Sequence, residues 1–402
     1  MKHMELLSQL SIKTDSKIIF LVIDGIGGLQ HHRTNQTELE QAKTPHLDAL
    51  AKKALCGFSI PVTVGITPGS GPGHLGIFGY NPTEHEIGRG ALSAAGVGFE
   101  QTNEDLAARI NFATIDNGGI LTDRRAGRIP TEVCEKLCKK LSEIPIKGVK
   151  LFVIPEKEHR AVVIFRAKGF LSDELTDSDP QQVGVAPLSV LAKTTYAQKT
   201  AEIVNLFINE AKKMLRNDEP ANMVLLRGFS VHPEIPKLQE LYNLKPAAIA
   251  TYPMYKGVAR LVGMEILKTG TTIRDEFETL KEQYQEYTYF YVHIKATDSR
   301  GEDGAYFEKA KVIEEVDRCI PLLMRLNPDV VVVTGDHSTP AVLKSHSWHP
   351  VPTMVYSPYC RFDQCDEYSE KAFTCGGLGH IEAQHLLGLA LANALKLRKY
   401  GA

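Results

Sequence analysis

VVVVTGDHSTP, residues 330–340, decides the fold. Val330 to Val333 is an unbroken β-branched run and reads as a strand buried on both faces. Thr334 and Gly335 break the run, and Asp336 and His337 follow side by side. In open α/β sheets, ligands gather beyond the carboxyl ends of the strands. A carboxylate next to an imidazole at that place is half of a candidate metal site. Taken alone, the pair reads equally well as a turn-capping Asp with an incidental His.

The same pattern occurs elsewhere in the chain. KIIFLVI, residues 17–23, reads as a strand ending on Asp24-Gly25-Ile26-Gly27-Gly28, where the glycines turn the chain sharply and leave Asp24 at the tip. YFYVHIKATD, residues 289–298, reads as a third such strand and carries Asp298; Glu302 follows four residues later, with Asp303 beside it. KSHSWHPVP, residues 344–352, adds His346. GITPGSGPGHLGIFGY, residues 65–80, sets Ser70 between two glycines at the start of a short helix that includes His74. The free amides of a helix N-terminus favour an ionised hydroxyl, and a neighbouring divalent ion favours it more. The segment is neither G-x-S-x-G nor G-x-x-x-x-G-K-[ST], so a hydrolase elbow and a nucleotide P-loop are unsupported. Asp24, Ser70, Asp298, Glu302, Asp336, His337 and His346 together amount to ligands for two divalent ions, a recurrent device of phosphoryl chemistry.

Helical patterns are expected over 44–55, 131–142, 196–217, 272–287 and in the C-terminal segment 381–402. Between residues 106 and 259 the texture shifts to short β-rich segments, and basic residues stand beside glycines and strand ends. They include Arg124, Arg125 (after Asp123), Arg227 and Lys256, with Arg260 just beyond; Arg89, earlier, lies between two glycines. Arginine forks suit carboxylate and phosphate oxygens. The expected organisation is one α/β domain built from 1–105 and 260–402, interrupted by an inserted α+β domain over 106–259 that acts as a substrate-binding lid.

Composition excludes several classes. A net charge of −2 gives no case for nucleic acid or membrane attraction. No apolar run approaches the roughly 20 residues that span a bilayer, and the polar N-terminus lacks a secretory pattern. Seven cysteines, an odd number, argue against a disulfide framework and for a reduced, cytoplasmic setting. Cys134 and Cys138 sit four apart with no second pair at zinc-ligand spacing. Nothing in the sequence fixes an oligomeric state.

The set D-G-x-G-G, T-P-H-L-D-x-L-A, P-G-S-G-P-G-H-L, G-R-G, D-R-R-A-G-R-I, T-D-S-D-P, K-G-V-A-R, K-A-T-D-S-x-G-E-D-G and T-G-D-H-S-T-P resembles the cofactor-independent phosphoglycerate mutases, in their shorter archaeal-type branch of the alkaline phosphatase superfamily. The resemblance spans nearly the whole chain. It implies an alkaline-phosphatase-like, mostly parallel sheet flanked by helices, and interconversion of 3-phosphoglycerate and 2-phosphoglycerate through a phosphoserine. Ser70 then matches the nucleophile. Asp24, Ser70, Asp336 and His337 match one metal site, and Asp298, Glu302 and His346 match the other. His74, Arg89, Asp123, Arg124, Arg125, Arg227, Lys256 and Arg260 match substrate-holding positions more loosely. Glu302 stands where much of the family has histidine; a carboxylate there favours Mn²⁺ or Mg²⁺ over Zn²⁺, with Asp303 as the alternative ligand. The competing readings are a metal-dependent phosphatase or phosphopentomutase on the same sheet, and a binding protein that has lost activity.

Overall fold

The computed structural model describes residues 3–169 and 171–401. The chain folds as two compact units: one runs to Glu86 and resumes at Ile235, and the other is Ile87–Glu234. In chain order the first unit contributes β1 (Ile18–Ile23) and β2 (Ala54–Ile60). The second holds β3 (Asp105–Ile115), β4 (Leu121–Asp123), β5 (Lys150–Lys157), β6 (Arg160–Arg166) and β7 (Met223–Val231). The first then returns with β8 (Pro246–Ile249), β9 (Glu265–Ile266), β10 (Tyr289–Ile294), β11 (Val330–Thr334), β12 (Val351–Tyr356) and β13 (Gly379–Glu382).

The first unit's sheet has the order β13-β2-β12-β11-β1-β10-β8-β9. β1, β8, β9, β10 and β11 run parallel, whereas β12 is antiparallel to both of its neighbours. This is the mostly parallel, helix-flanked α/β sheet that the valine run predicts. β1, β10 and β11 are buried along their whole length, as strands covered on both faces must be. The register pairs Leu21 with Val292 and with Val333, so their side chains share one face and enter one apolar core. Parity sends Tyr289, Tyr291 and His293 to the opposite face. Ile23 pairs with Ile294, and Val22 with Thr334, so the three strands stop level with one another.

The second unit is an antiparallel sheet, β4-β3-β6-β5, with β7 on β3. Helices Thr131–Ser142 and Gln198–Leu215 bury their apolar faces in its core. Cys134 and Cys138 are part of that core, side by side and buried.

The unit boundaries fall earlier than the sequence places them. Helix Arg89–Gly96 belongs with the second unit because Gly90 lies against the Ala107 carbonyl of β3, 2.2 Å from where a Cβ would stand. Residues from Ile235 onward belong with the first because β8 continues its parallel sheet. Several expected elements are also shorter. The strand expected over 289–298 stops at Ile294, and Asp298 lies in helix Ala296–Glu302, where the N-terminal turn favours a carboxylate. The helix expected over 44–55 is Pro45–Ala51, and that over 381–402 is Leu386–Asn393 behind β13. No helix among the described residues is long and apolar enough to cross a membrane.

Helix Ile273–Gln283 opens with a capping box between Thr272 and Asp275, and it buries Glu276 to 3% exposure. Burial, with Asp275 beside it, pushes the Glu276 carboxyl up to about 9. Below about pH 4.5 both folded and unfolded chains hold this proton. Between there and pH 9 only the folded chain does, so the group costs stability increasingly as pH rises. Glu276→Gln should therefore stabilise the protein on the order of 1–3 kcal/mol at pH 8 and hardly at all at pH 4.5. Denaturant melts at the two pH values check this; an equal effect at both would refute it.

Candidate metal centre

Because β1 and β11 end level, Asp24 and Asp336 leave the sheet at the same edge. Gly25 takes φ +65°, and a Cβ there would lie 2.5 Å from Thr339 Oγ1; one at Gly27 would lie 2.0 Å from Ser338 Oγ. Only glycine lets the loop after β1 press onto the loop after β11. Thr339 N–H donates to the Gly25 and Gly27 carbonyls at 3.3 and 3.1 Å, locking the two loops together.

Asp24, Asp298, Asp336 and His337 are all fully buried. Candidate ligand atoms of Asp24, Asp336 and His337 lie within 4.8 Å of one another, and those of Asp298, His337 and His346 form a second such group. His337 belongs to both, and its ring stacks on His346 at 3.5 Å between centroids. The His337 Nε2 atom faces Asp336 Oδ2 at 3.1 Å, Asp24 Oδ1 at 3.5 Å and Ser70 Oγ at 3.3 Å. Its Nδ1 lies 2.9 Å from Thr339 Oγ1, which donates to Asp298 Oδ1 at 2.6 Å. The hydroxyl proton is therefore committed to Asp298, and Nδ1–H donates to Thr339, which leaves Nε2 for the carboxylates. A ligating histidine is oriented in this way by a hydrogen bond at its other nitrogen.

The electrostatics are those of a site short of positive charge. Burial would lower the His337 pKa, but Asp336, Asp24 and Asp298 outweigh it and hold the imidazole up to about 9. Lys295 bridges Asp24, at 3.2 Å, and Asp298; burial opposes its charge, yet the two carboxylates keep it above the ordinary lysine range. Both oxygens of Asp24, and Oδ2 of Asp336, still lack an aligned hydrogen bond. Buried carboxylate oxygens without donors, ringed by imidazoles, fit a divalent cation.

Ser70 opens helix Ser70–Ile77 after Gly69, partly exposed, with its Oγ on His337. Of the other expected residues, His74 is fully buried behind Ser70, among Tyr255, Tyr291 and His293. Its Nδ1 lies 2.7 Å from the Ser70 carbonyl and 3.3 Å from Asp336 Oδ2. Burial brings its pKa down to about 4 despite Asp336. It supports the turn that carries Ser70 and is closed to a substrate. Glu302, expected as a ligand, is exposed at the end of its helix and outside both groups. Asp303 is exposed too and pairs with Arg300 at 3.8 Å. Another carboxylate among three buried ones would add repulsion, whereas in water its charge is solvated.

Lys256 and Arg260 lie on helix Pro253–Leu261 of the first unit, next to Tyr255, which stacks on His293 at 3.8 Å. Arg89, Asp123, Arg124, Arg125 and Arg227 lie in the second. Arg124 holds Asp179 with two hydrogen bonds, and Arg227 lies 3.5 Å from the same carboxylate. Asp123 accepts from the Arg125 and Gly127 amides and forms a turn, so its oxygens are already engaged. Arg89 has Arg227, Arg109 and Arg160 around it; burial and then these charges lower its pKa. His159 is lowered to about 4 by burial and by Arg160, Arg109, Arg125 and Arg128. The second unit therefore concentrates positive charge in one place.

The sequence reading missed His293, Lys295 and Thr339. His293 Nε2 lies 3.2 Å from Asp24 Oδ2. Strand parity was the available signal, since His293 shares a face with Tyr291 in an otherwise apolar buried strand.

The fold is a mostly parallel α/β sheet flanked by helices, and the site is a cluster of buried carboxylates and imidazoles beside a serine. Residues 51–222 match the family described as 2,3-bisphosphoglycerate-independent phosphoglycerate mutase. Proteins named as probable enzymes of that kind from Aquifex aeolicus and Thermotoga maritima are 50% and 49% identical to this chain. The first alignment covers 99% of this chain and 100% of that protein; the second covers 99% of each. Among solved structures, a Pyrococcus horikoshii protein is 28% identical with TM-score 0.83, over 96% of this chain and 99% of its own. The cofactor-independent phosphoglycerate mutase of Thermoplasma acidophilum is 28% identical with TM-score 0.69, over 94% and 99%. The chain belongs to the family of 2,3-bisphosphoglycerate-independent phosphoglycerate mutases.

Two outcomes follow from the geometry. Mn²⁺ added to chelator-treated protein should raise its melting temperature, each ion contributing about 2.7 kcal/mol of stabilisation at a hundredfold excess over Kd, and Asp336→Asn, which breaks one of the two groups, should reduce that shift. Glu302→Ala should change Mn²⁺ affinity by no more than about twofold, as for an exposed side chain; a tenfold loss measured by calorimetry would place Glu302 among the ligands.

Proposed function

We propose that the chain interconverts 3-phosphoglycerate and 2-phosphoglycerate, a step of glycolysis and gluconeogenesis, through a phosphoserine on Ser70 beside a two-metal centre. The observation that carries this reading is Ser70 Oγ, at a helix start and 3.3 Å from His337 Nε2, the same nitrogen that faces Asp24 and Asp336. A nucleophile placed against the ligand groups suits phosphoryl transfer to the protein. Asp24, Asp336 and His337, with Ser70, would hold one divalent ion; Asp298 and His346 would hold the other. Mn²⁺ or Mg²⁺ suits the carboxylates, and Zn²⁺ is the alternative. When bound, such ions supply positive charge that lowers the pKa of the serine hydroxyl and offsets the charge on the transferred group.

The chain's own residues do the rest. Ser70 gives up its hydroxyl proton as Oγ attacks phosphorus, and the bond from phosphorus to the substrate's C3 oxygen breaks. That oxygen leaves with a proton, and the glycerate stays bound. Its C2 hydroxyl then loses a proton and attacks the phosphoserine, and Ser70 Oγ departs. Thr339 holds the His337 ring throughout by way of Nδ1. Lys295, ammonium at neutral pH, steadies Asp24 and Asp298. Lys256 and Arg260, on helix Pro253–Leu261 of the first unit, would supply positive charge for the phosphate and carboxylate. Isomerisation requires that the glycerate outcompete water for the phosphoserine.

An enolase-coupled assay with 3-phosphoglycerate and Mn²⁺, without added bisphosphoglycerate, should show turnover that Ser70→Ala lowers at least about 10³-fold. Release of inorganic phosphate alone would favour the phosphatase reading. Undiminished turnover by Ser70→Ala would refute the phosphoserine.

A further inference from the structure

Beneath the two ligand-bearing loops lies a buried charged cluster with no part in the chemistry above. Lys309 sits in the first turn of helix Tyr306–Met324 and is fully buried. Its Nζ donates to the Gly27 carbonyl at 3.1 Å and to the Thr339 carbonyl at 2.8 Å. Those carbonyls belong to the loop carrying Asp24 and the loop carrying Asp336 and His337. A single ammonium therefore ties together the backbones that present both sides of the first ligand group.

The cluster is closed around that ammonium. Glu38, also fully buried, lies 3.8 Å from Lys309 Nζ through Oε1. The same oxygen accepts from Ala341 N–H at 2.6 Å, just beyond Thr339. Oε2 packs where Gly28 has no side chain, 1.9 Å from the position a Cβ would take. Glu370 accepts from Gly28 N–H at 2.9 Å and from the Thr37 hydroxyl at 2.7 Å, fixing the end of the same loop. Tyr306, one turn ahead of Lys309, donates to the Gln36 and Thr37 carbonyls, which sets Glu38 in place.

Burying an ion pair rarely raises stability over a well-packed apolar pair. This one spends its donors on two backbone carbonyls, one in each loop. We propose that Lys309, charge-balanced by Glu38, is a positioning residue for the metal ligands: it sets the spacing of the Asp24 and Asp336–His337 loops and thereby the affinity for the ion between them. The inference rests on the metal-centre reading above. Groups one step removed from metal ligands typically control affinity by about 10- to 100-fold.

The test uses the full chain, stripped by chelator and titrated with Mn²⁺ by calorimetry, with the metal-free melting temperature measured alongside. The double variant Lys309→Met with Glu38→Gln removes both charges, keeps the volume and leaves an acceptor for Ala341 N–H, so it avoids a lone buried charge. It should melt within a few degrees of wild type yet bind Mn²⁺ about 10- to 100-fold more weakly, at unchanged stoichiometry. Lys309→Arg, which keeps the charge and the donors, should recover part of that loss. Should the double variant fail to fold, Glu38→Gln alone is read in the same way, with a several-fold weakening expected. Wild-type affinity in the variants, whatever their melting temperature, overturns the positioning role. A wild-type chain that takes up no Mn²⁺ overturns the metal centre and this role together.

Discussion

Three carboxylates buried at one edge of a sheet repel each other, and the molecule is built to hold them there. Burial makes each charge costly, and proximity raises the cost further. One lysine and an imidazole pushed to about 9 meet only part of the deficit. The level ends of β1, β10 and β11, the left-handed turn at Gly25 and the hydrogen bonds through Thr339 all serve to keep Asp24, Asp298 and Asp336 from separating. A divalent cation is the natural partner of such an arrangement, and the large apolar core behind the sheet bears the cost of its assembly.

The two units solve different electrostatic problems. The first gathers negative charge and imidazoles around a serine. The second gathers arginines, of which Arg124 and Arg227 are balanced by Asp179, while Arg125 and Arg128 add positive charge near His159 and Arg89 lies near Arg109 and Arg160. Guanidinium forks of that kind suit phosphate and carboxylate oxygens.

What could be read from the sequence was what a local signal encodes. A valine run broken by glycine and followed by Asp-His announces a buried strand with a carboxylate at its tip, and both Asp24 and Asp336 are found there. Asp298 was found as a ligand candidate but placed on a strand. Lys295, Ala296 and Thr297 carry no turn signal, and the switch to helix depends on packing that no short window records. Glu302 was drawn in by its spacing from Asp298, although spacing along a helix says nothing of whether the charge is solvated. His74 looked like a loop residue beside a nucleophile, and only the sheet behind it shows that it is enclosed. The boundaries of the second unit were set by a change of texture near residue 106, whereas Gly90 packing on Ala107 ties the preceding helix to the later strands.

The interruption of the first unit has a consequence for how the chain is made. β1 lies between β10 and β11 in the finished sheet, yet the whole of the second unit is synthesised before either neighbour exists. At ordinary elongation rates that interval is on the order of tens of seconds. Throughout it, a six-residue segment buried on both faces in the native state has neither edge paired. The beginning of the chain thus waits, with an apolar strand unpaired, until the last third of the sequence emerges.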